Sequence, residues 1–199
     1  EKFYDVFYDY AADNIEALLQ FQGSTLLVSP TPGIGFLKQV FQNDEVRMRR
    51  FFEEAAVSMN KIGQKCKASQ INLAIRNEYW TQMRGEHIEA FMELVDPELV
   101  SYAPDPAHLK IAHADYEHLF RKYAGKAKVV CFTDTKFEDE TDAYQTISPE
   151  FPQDGRQQRV YYDLGYGNVD FALLYSILKE ADFDGPVVLE SKYSLDIPK

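Results

Sequence analysis

The strongest constraint on this chain is a unit that recurs along it: a short run of consecutive apolar residues, a polar loop, then an amphipathic stretch. The runs are Thr25-Leu-Leu-Val-Ser29, Ile71-Asn-Leu-Ala-Ile75, Leu99 to Ala103, Val129 to Phe132 and Pro186 to Leu189. Runs this short and this continuously apolar read as strands buried on both faces, not as strands with one wet face. Each opens onto residues of another character. Pro30, Pro32, Gly33 and Gly35 follow the first, Arg76-Asn-Glu-Tyr-Trp80 the second, Pro104-Asp-Pro-Ala-His108 the third, Thr133-Asp134 the fourth and Glu190 the fifth.

Helical spacing fills the intervals. Ile15, Leu18, Leu19 and Phe21 mark a helix from Asp9 to Phe21, and Gly23 follows where it would stop. From Asn43, read as a cap, Met48, Phe51, Phe52, Ala55, Met59 and Ile62 recur every three or four residues, with Glu45, Arg49, Arg50 and Lys61 on the other face. Gly85 to Val95 and Tyr116 to Tyr123 repeat the pattern, and a further helix follows Phe171. Strands alternating with helices define an α/β fold with a parallel sheet, and in such folds ligands bind at the carboxyl ends of the strands. The candidates there are Ser29, Arg76, Glu78, Asp105, His108, Cys131, Asp134 and Glu190. The stretch from Glu138 to Arg159 is polar, carries Pro149 and Pro152 and is too long for an ordinary connection, so it reads as a lid or substrate loop.

Composition narrows the partners. With 32 acidic and 21 basic residues the net charge is -11, which argues against nucleic acid or an anionic membrane as partner. No apolar run approaches the roughly 20 residues of a membrane span, and the first residues do not resemble a signal peptide. Cys66 and Cys131 stand in no metal-knuckle spacing, so a reducing, cytoplasmic setting is expected. With no internal repeat or linker, residues 1–199 read as a single domain.

The order of these residues resembles the xylose isomerase-like TIM barrels, which include sugar phosphate isomerases/epimerases, inosose dehydratases and endonuclease IV. The likeness runs from about Leu26 to Lys192. It is carried by Glu78, by Asp105-Pro-Ala-His108, by Cys131-Phe-Thr-Asp134, and most specifically by Leu164-Gly-Tyr-Gly-Asn-Val-Asp-Phe171 followed by Asp184-Gly-Pro-Val-Val-Leu-Glu190. The resemblance implies a (β/α)8 TIM barrel, here a partial barrel of about five parallel strands that correspond to the family's strands four to eight. A complete barrel takes about 250 residues, so either an N-terminal segment supplies the remaining strands or copies of the chain associate as a homo-oligomer.

The resemblance further implies a sugar, sugar phosphate or cyclitol as the small-molecule substrate, and isomerase or epimerase chemistry by metal-assisted proton transfer. Glu78, Asp105, Cys131 and Glu190 would hold a divalent metal (Mn, Mg, Co or Zn), and Glu78 and Glu190 would double as catalytic acid/base groups. His108, Arg76 and Trp80 would bind substrate. An inosose dehydratase-like lyase is the first alternative, and a catalytically degenerate barrel that binds a polyol or a protein partner is the second.

Two positions depart from the family pattern. Cys131 replaces a usual His, and Arg76 falls in a ligand position that a guanidinium cannot fill, with Glu78 the nearest carboxylate. Arg76 is therefore expected to pair with Asp105 or Glu190, and metal binding to be weak or absent. Plainer readings stand beside these: Asp105 as a turn former between prolines, His108 as a surface histidine, Cys131 as a small core residue, Trp80 as ordinary packing.

Overall fold

The structure, a computed structural model, describes residues 2–147 and 159–191. Seven α-helices and five strands alternate along them: α1 (Lys2–Gln20), β1 (Thr25–Val28), α2 (Ile34–Val40), α3 (Glu45–Ala68), β2 (Asn72–Arg76), α4 (Gly85–Met92), β3 (Val100–Ala103), α5 (Pro106–Ile111), α6 (Tyr116–Tyr123), β4 (Val130–Phe132), α7 (Phe171–Glu180) and β5 (Val187–Leu189). All strand pairs are parallel and follow chain order. The expected single five-stranded sheet is instead two: β1-β2-β3 and β4-β5. A backbone hydrogen bond from the Cys131 N–H to the Pro104 carbonyl, at 3.0 Å, spans the gap between them.

Alternation along the strands builds two different faces. Leu26, Leu73, Ile75, Val100, Tyr102 and Val130 join one large core with the helices, which contribute residues such as Ile15, Met59, Ile62, Phe91, Phe120 and Leu174. Burying each large apolar side chain contributes about 1.5–3 kcal/mol. The intervening residues Leu27, Ala74, Ala103 and Val129 form a separate small cluster. The helices thus cover one face, and the other is the inner face of a barrel wall.

Local chemistry explains where the expected boundaries shift. The cap of α3 is Asp44, not Asn43: its carboxylate accepts the backbone N–H groups of Val46 and Arg47 at 3.0 and 3.1 Å, while Asn43 has a left-handed φ of 57°. Asp115 and Asp170 cap α6 and α7 in the same way. Two short helices, α2 and α5, replace what periodicity read as loop, because six or seven residues are too few to display a helical repeat.

Of the expected lid, residues 148–158 lie outside the described residues. The part before them is anchored. Asp139 accepts the backbone N–H groups of Ala143 and Tyr144 at 2.9 and 3.1 Å, shaping a 3-10 turn at Ala143–Gln145. The Arg84 guanidinium then lies 3.4 Å from the centre of the Tyr144 ring.

A candidate site at the strand ends

The period of two that puts Ala74 on the inner face also puts Arg76 there, at the carboxyl end of β2. Likewise Ala103 leads to Asp105 beyond β3, and Val129 leads to Cys131 and Thr133. These side chains meet. The Arg76 Nη2 group lies 2.5 Å from Asp105 Oδ2 and 2.6 Å from Glu190 Oε2, and Arg76 Nε donates to the same Asp105 oxygen at 3.0 Å. The second Asp105 oxygen accepts the Thr133 hydroxyl. Asp105 is fully buried, Arg76 is 9% exposed and the Glu190 side chain 31%, so the cluster reaches solvent mainly through Glu190.

Asp105 stands in the N-cap position of α5 with Pro106 in the first turn, a setting in which a carboxylate normally accepts backbone N–H groups. It makes no such bond. Its carboxylate turns to Arg76 and Thr133 instead, which sets aside the reading of Asp105 as a mere turn former. Asn77, a residue that strand periodicity did not single out, fixes that turn. Its Oδ1 accepts the Tyr102 hydroxyl at 2.7 Å and the Asp105 backbone N–H at 2.9 Å, and its Nδ2 donates to the Asp105 carbonyl at 3.1 Å.

His108 is buried on α5, not on the surface. Its Nδ1 lies 3.4 Å from the Tyr79 backbone N–H and its Nε2 3.4 Å from the Tyr161 hydroxyl, with both aromatic rings 5.5 Å away. Tyr161 was missed in sequence, where it follows the polar loop without a strand of its own. Burial raises its phenol above the ordinary range, with Glu78 and then Asp105 adding to the effect, Arg76 opposing it and Glu190 adding further. The Tyr161 phenol thus responds electrostatically to Glu78, Asp105, Arg76 and Glu190, and Glu78 itself is half-buried.

For Arg76 itself, burial works against the charge. Asp105, Cys131 and Glu190 overcome that cost and hold the guanidinium protonated above its usual range. Cys131 is buried in β4 and forms no disulfide. Trp80 lies apart from the charged cluster: half-buried, it lines a cavity of about 750 Å³ with Pro32, Phe36, Val40, Phe51 and Ile147. Asp134 serves the loops: its carboxylate accepts the backbone N–H groups of Gly165, Gly167 and Val169 at 2.9, 2.7 and 3.1 Å.

A parallel β/α wall with charged residues gathered at its carboxyl ends defines a barrel protein with its mouth on that side. The chain belongs to the xylose isomerase-like TIM barrel family, whose profile matches residues 4–198. Over 154 residues it is 25% identical to the inosose dehydratase of Clostridium tetani, covering 77% of this chain and 51% of that protein. The chain therefore spans about half the length of the curated relatives it matches. Among solved structures it resembles an L-ribulose 3-epimerase (TM-score 0.64, 17% identity, 94% of this chain and 54% of that one). It also resembles a xylose isomerase-like TIM barrel protein from Mycobacterium smegmatis in complex with magnesium (TM-score 0.65, 17% identity, 94% and 61%).

The magnesium of that relative raises the question whether the residues here fit a divalent cation. They do not. Such an ion takes about six oxygen donors at 2.0–2.6 Å, whereas both oxygens of Asp105 are engaged by Arg76 and Thr133, and Glu190 by Arg76. Among the described residues no group of three or more His, Cys, Asp and Glu side chains is gathered closely enough to hold a metal ion. No described helix is long and apolar enough to cross a membrane.

Proposed function

We propose that this protein binds a sugar, sugar phosphate or cyclitol at the strand-end mouth and moves a proton at a carbon beside the substrate's carbonyl group, the step that isomerases and epimerases of sugars share. The observation that carries this reading is the meeting of Arg76, Asp105 and Glu190 at the carboxyl ends of β2, β3 and β5, with the Tyr161 hydroxyl facing His108 of the helix that follows Asp105. Glu78 and Glu190 are partly exposed carboxylates suited to taking the proton and returning it. Asp105 is sealed from solvent and serves to hold Arg76. The guanidinium and the Tyr161 hydroxyl are donors for the oxygen that gains negative charge when the C–H bond breaks. His108 positions Tyr161.

A second reading, an inosose dehydratase-like lyase, draws support from the Clostridium tetani relative. It begins with the same proton removal and continues with loss of a neighbouring hydroxyl as water. A catalytically degenerate, polyol-binding barrel is the third.

The test is incubation with ketopentoses, ketohexoses and an inosose in deuterium oxide, followed by proton NMR with and without chelator. Deuterium at the carbon beside the carbonyl together with an epimer or isomer supports the first reading. A dehydrated product supports the second. Binding without exchange overturns both and leaves the degenerate barrel.

A further inference from the structure

We infer that Arg76 is the resident cation of this mouth: its guanidinium holds the position between Asp105 and Glu190 that would otherwise admit a divalent metal, so this pair of carboxylates accepts one only when Arg76 is removed. The inference shares its residues with the proposed function but not its substrate, so metal binding alone tests it and the two can fail separately.

The geometry is that of a bridge. One nitrogen, Nη2, touches both carboxylates, at 2.5 and 2.6 Å, and these come from the ends of strands in different sheets. The guanidinium leans on Asp105 through Nε and Nη2, and Nη2 spans the space from there to Glu190. It cannot easily swing aside. Nε makes a second bond to Asp105, the side chain is 9% exposed, and leaving would strand a fully buried carboxylate.

The charge count points the same way. With Arg76 in place, the three groups sum to one negative charge. Without it, Asp105 and Glu190 leave two. Two carboxylates that share one guanidinium nitrogen offer oxygen donors to a hard divalent ion once that nitrogen is gone, with water completing the shell. A fixed positive charge about 4 Å away opposes such an ion strongly even at an effective dielectric near 20, enough to weaken binding by several powers of ten.

The experiment is a titration of manganese chloride into the chelator-treated full chain, read by calorimetry and by the electron paramagnetic resonance signal of free manganese. Wild type is compared with Arg76→Gln and Arg76→Glu. We expect wild type to leave the free-ion signal unchanged at millimolar metal and its melting temperature unmoved. The variants should bind at least about a hundredfold more tightly. They should melt at lower temperature than wild type in chelator and recover when manganese is added, which keeps the test open if either is poorly folded without metal. Micromolar binding by wild type would overturn the inference, as would folded variants that bind no better. Variants that fold neither with nor without manganese also count against it, because the ion would then have failed to replace the guanidinium.

Discussion

Gly167 donates its backbone N–H to Asp134 Oδ2 at 2.7 Å, and a β-carbon on Gly167 would lie 1.9 Å from the other oxygen of that carboxylate. The loop before α7 is thus wrapped around Asp134 so closely that only glycine fits. Gly165, two residues earlier, is required for a different reason: it has open space around it but a φ of +85°. Gly167→Ala is expected to destabilise the protein by about 2–4 kcal/mol, because the carboxylate must withdraw from buried donors. Gly165→Ala should cost only about 1 kcal/mol, the strain of a left-handed alanine. Urea denaturation of the two variants checks the order, and equal losses would contradict it.

Asn77 makes three hydrogen bonds that tie β2 to β3 and to the backbone of Asp105. Asn77→Ala removes the acceptor that the buried Tyr102 hydroxyl and the Asp105 backbone N–H share, for an expected loss of about 2–4 kcal/mol. The same change should release Asp105 from Arg76, so substrate binding should weaken at temperatures where the variant remains folded. Calorimetric titration against a ligand identified for wild type checks it.

His87 stacks on Phe52 at 5.3 Å, with Glu86, Lys38 and Arg84 as its charged neighbours. Burial, helped by Lys38 and Arg84 and opposed by Glu86, lowers its affinity for a proton below the ordinary histidine value of 6.5. Between that value and the lower one of the folded state, the unfolded chain binds the extra proton. Stability should therefore fall as pH drops below about 6.5 and be retained above it. In His87→Gln the part of the pH dependence that begins near 6.5 should shrink. Denaturation curves from pH 5 to 8 test this, and an unchanged profile would show that His87 is not its source.

Val187, Val188 and Leu189 of β5 are 40%, 41% and 65% exposed, and among the described residues this strand pairs on one side only, with β4. Uncovered parallel strands seek partners. Light scattering of the 199-residue chain should give a mass above 23.0 kDa that rises with concentration, and Val188→Lys should lower it. A constant monomer mass would show that the edge protects itself.

The strands and long helices were legible because their apolar residues repeat with a period the backbone enforces. The same alternation that buries Leu73 and Ile75 beneath the helices turns Arg76 inward, so the candidates at the strand ends were legible too. What escaped was set by contacts across the chain. Asn77 acts through Asp105 and Tyr102, which lie more than twenty residues away, and Tyr161 is placed by His108 from a segment that has no periodicity. The break between β3 and β4 is equally silent, since the apolar runs on either side look alike. His108 shows the converse: its place in a motif pointed to the mouth, and the sequence did not show that it would be buried with its ring nitrogens facing Tyr79 and Tyr161.

That break gives the ion cluster a mechanical meaning. Arg76 and Asp105 belong to one sheet, Glu190 extends from the other, and the contact at 2.6 Å between Arg76 and Glu190 therefore crosses the join. A molecule that draws Glu190 toward itself loosens a rivet, and one that presses Glu190 onto Arg76 tightens it. The mouth lies on the join of this wall, and the Arg76–Glu190 contact is the clasp that closes it.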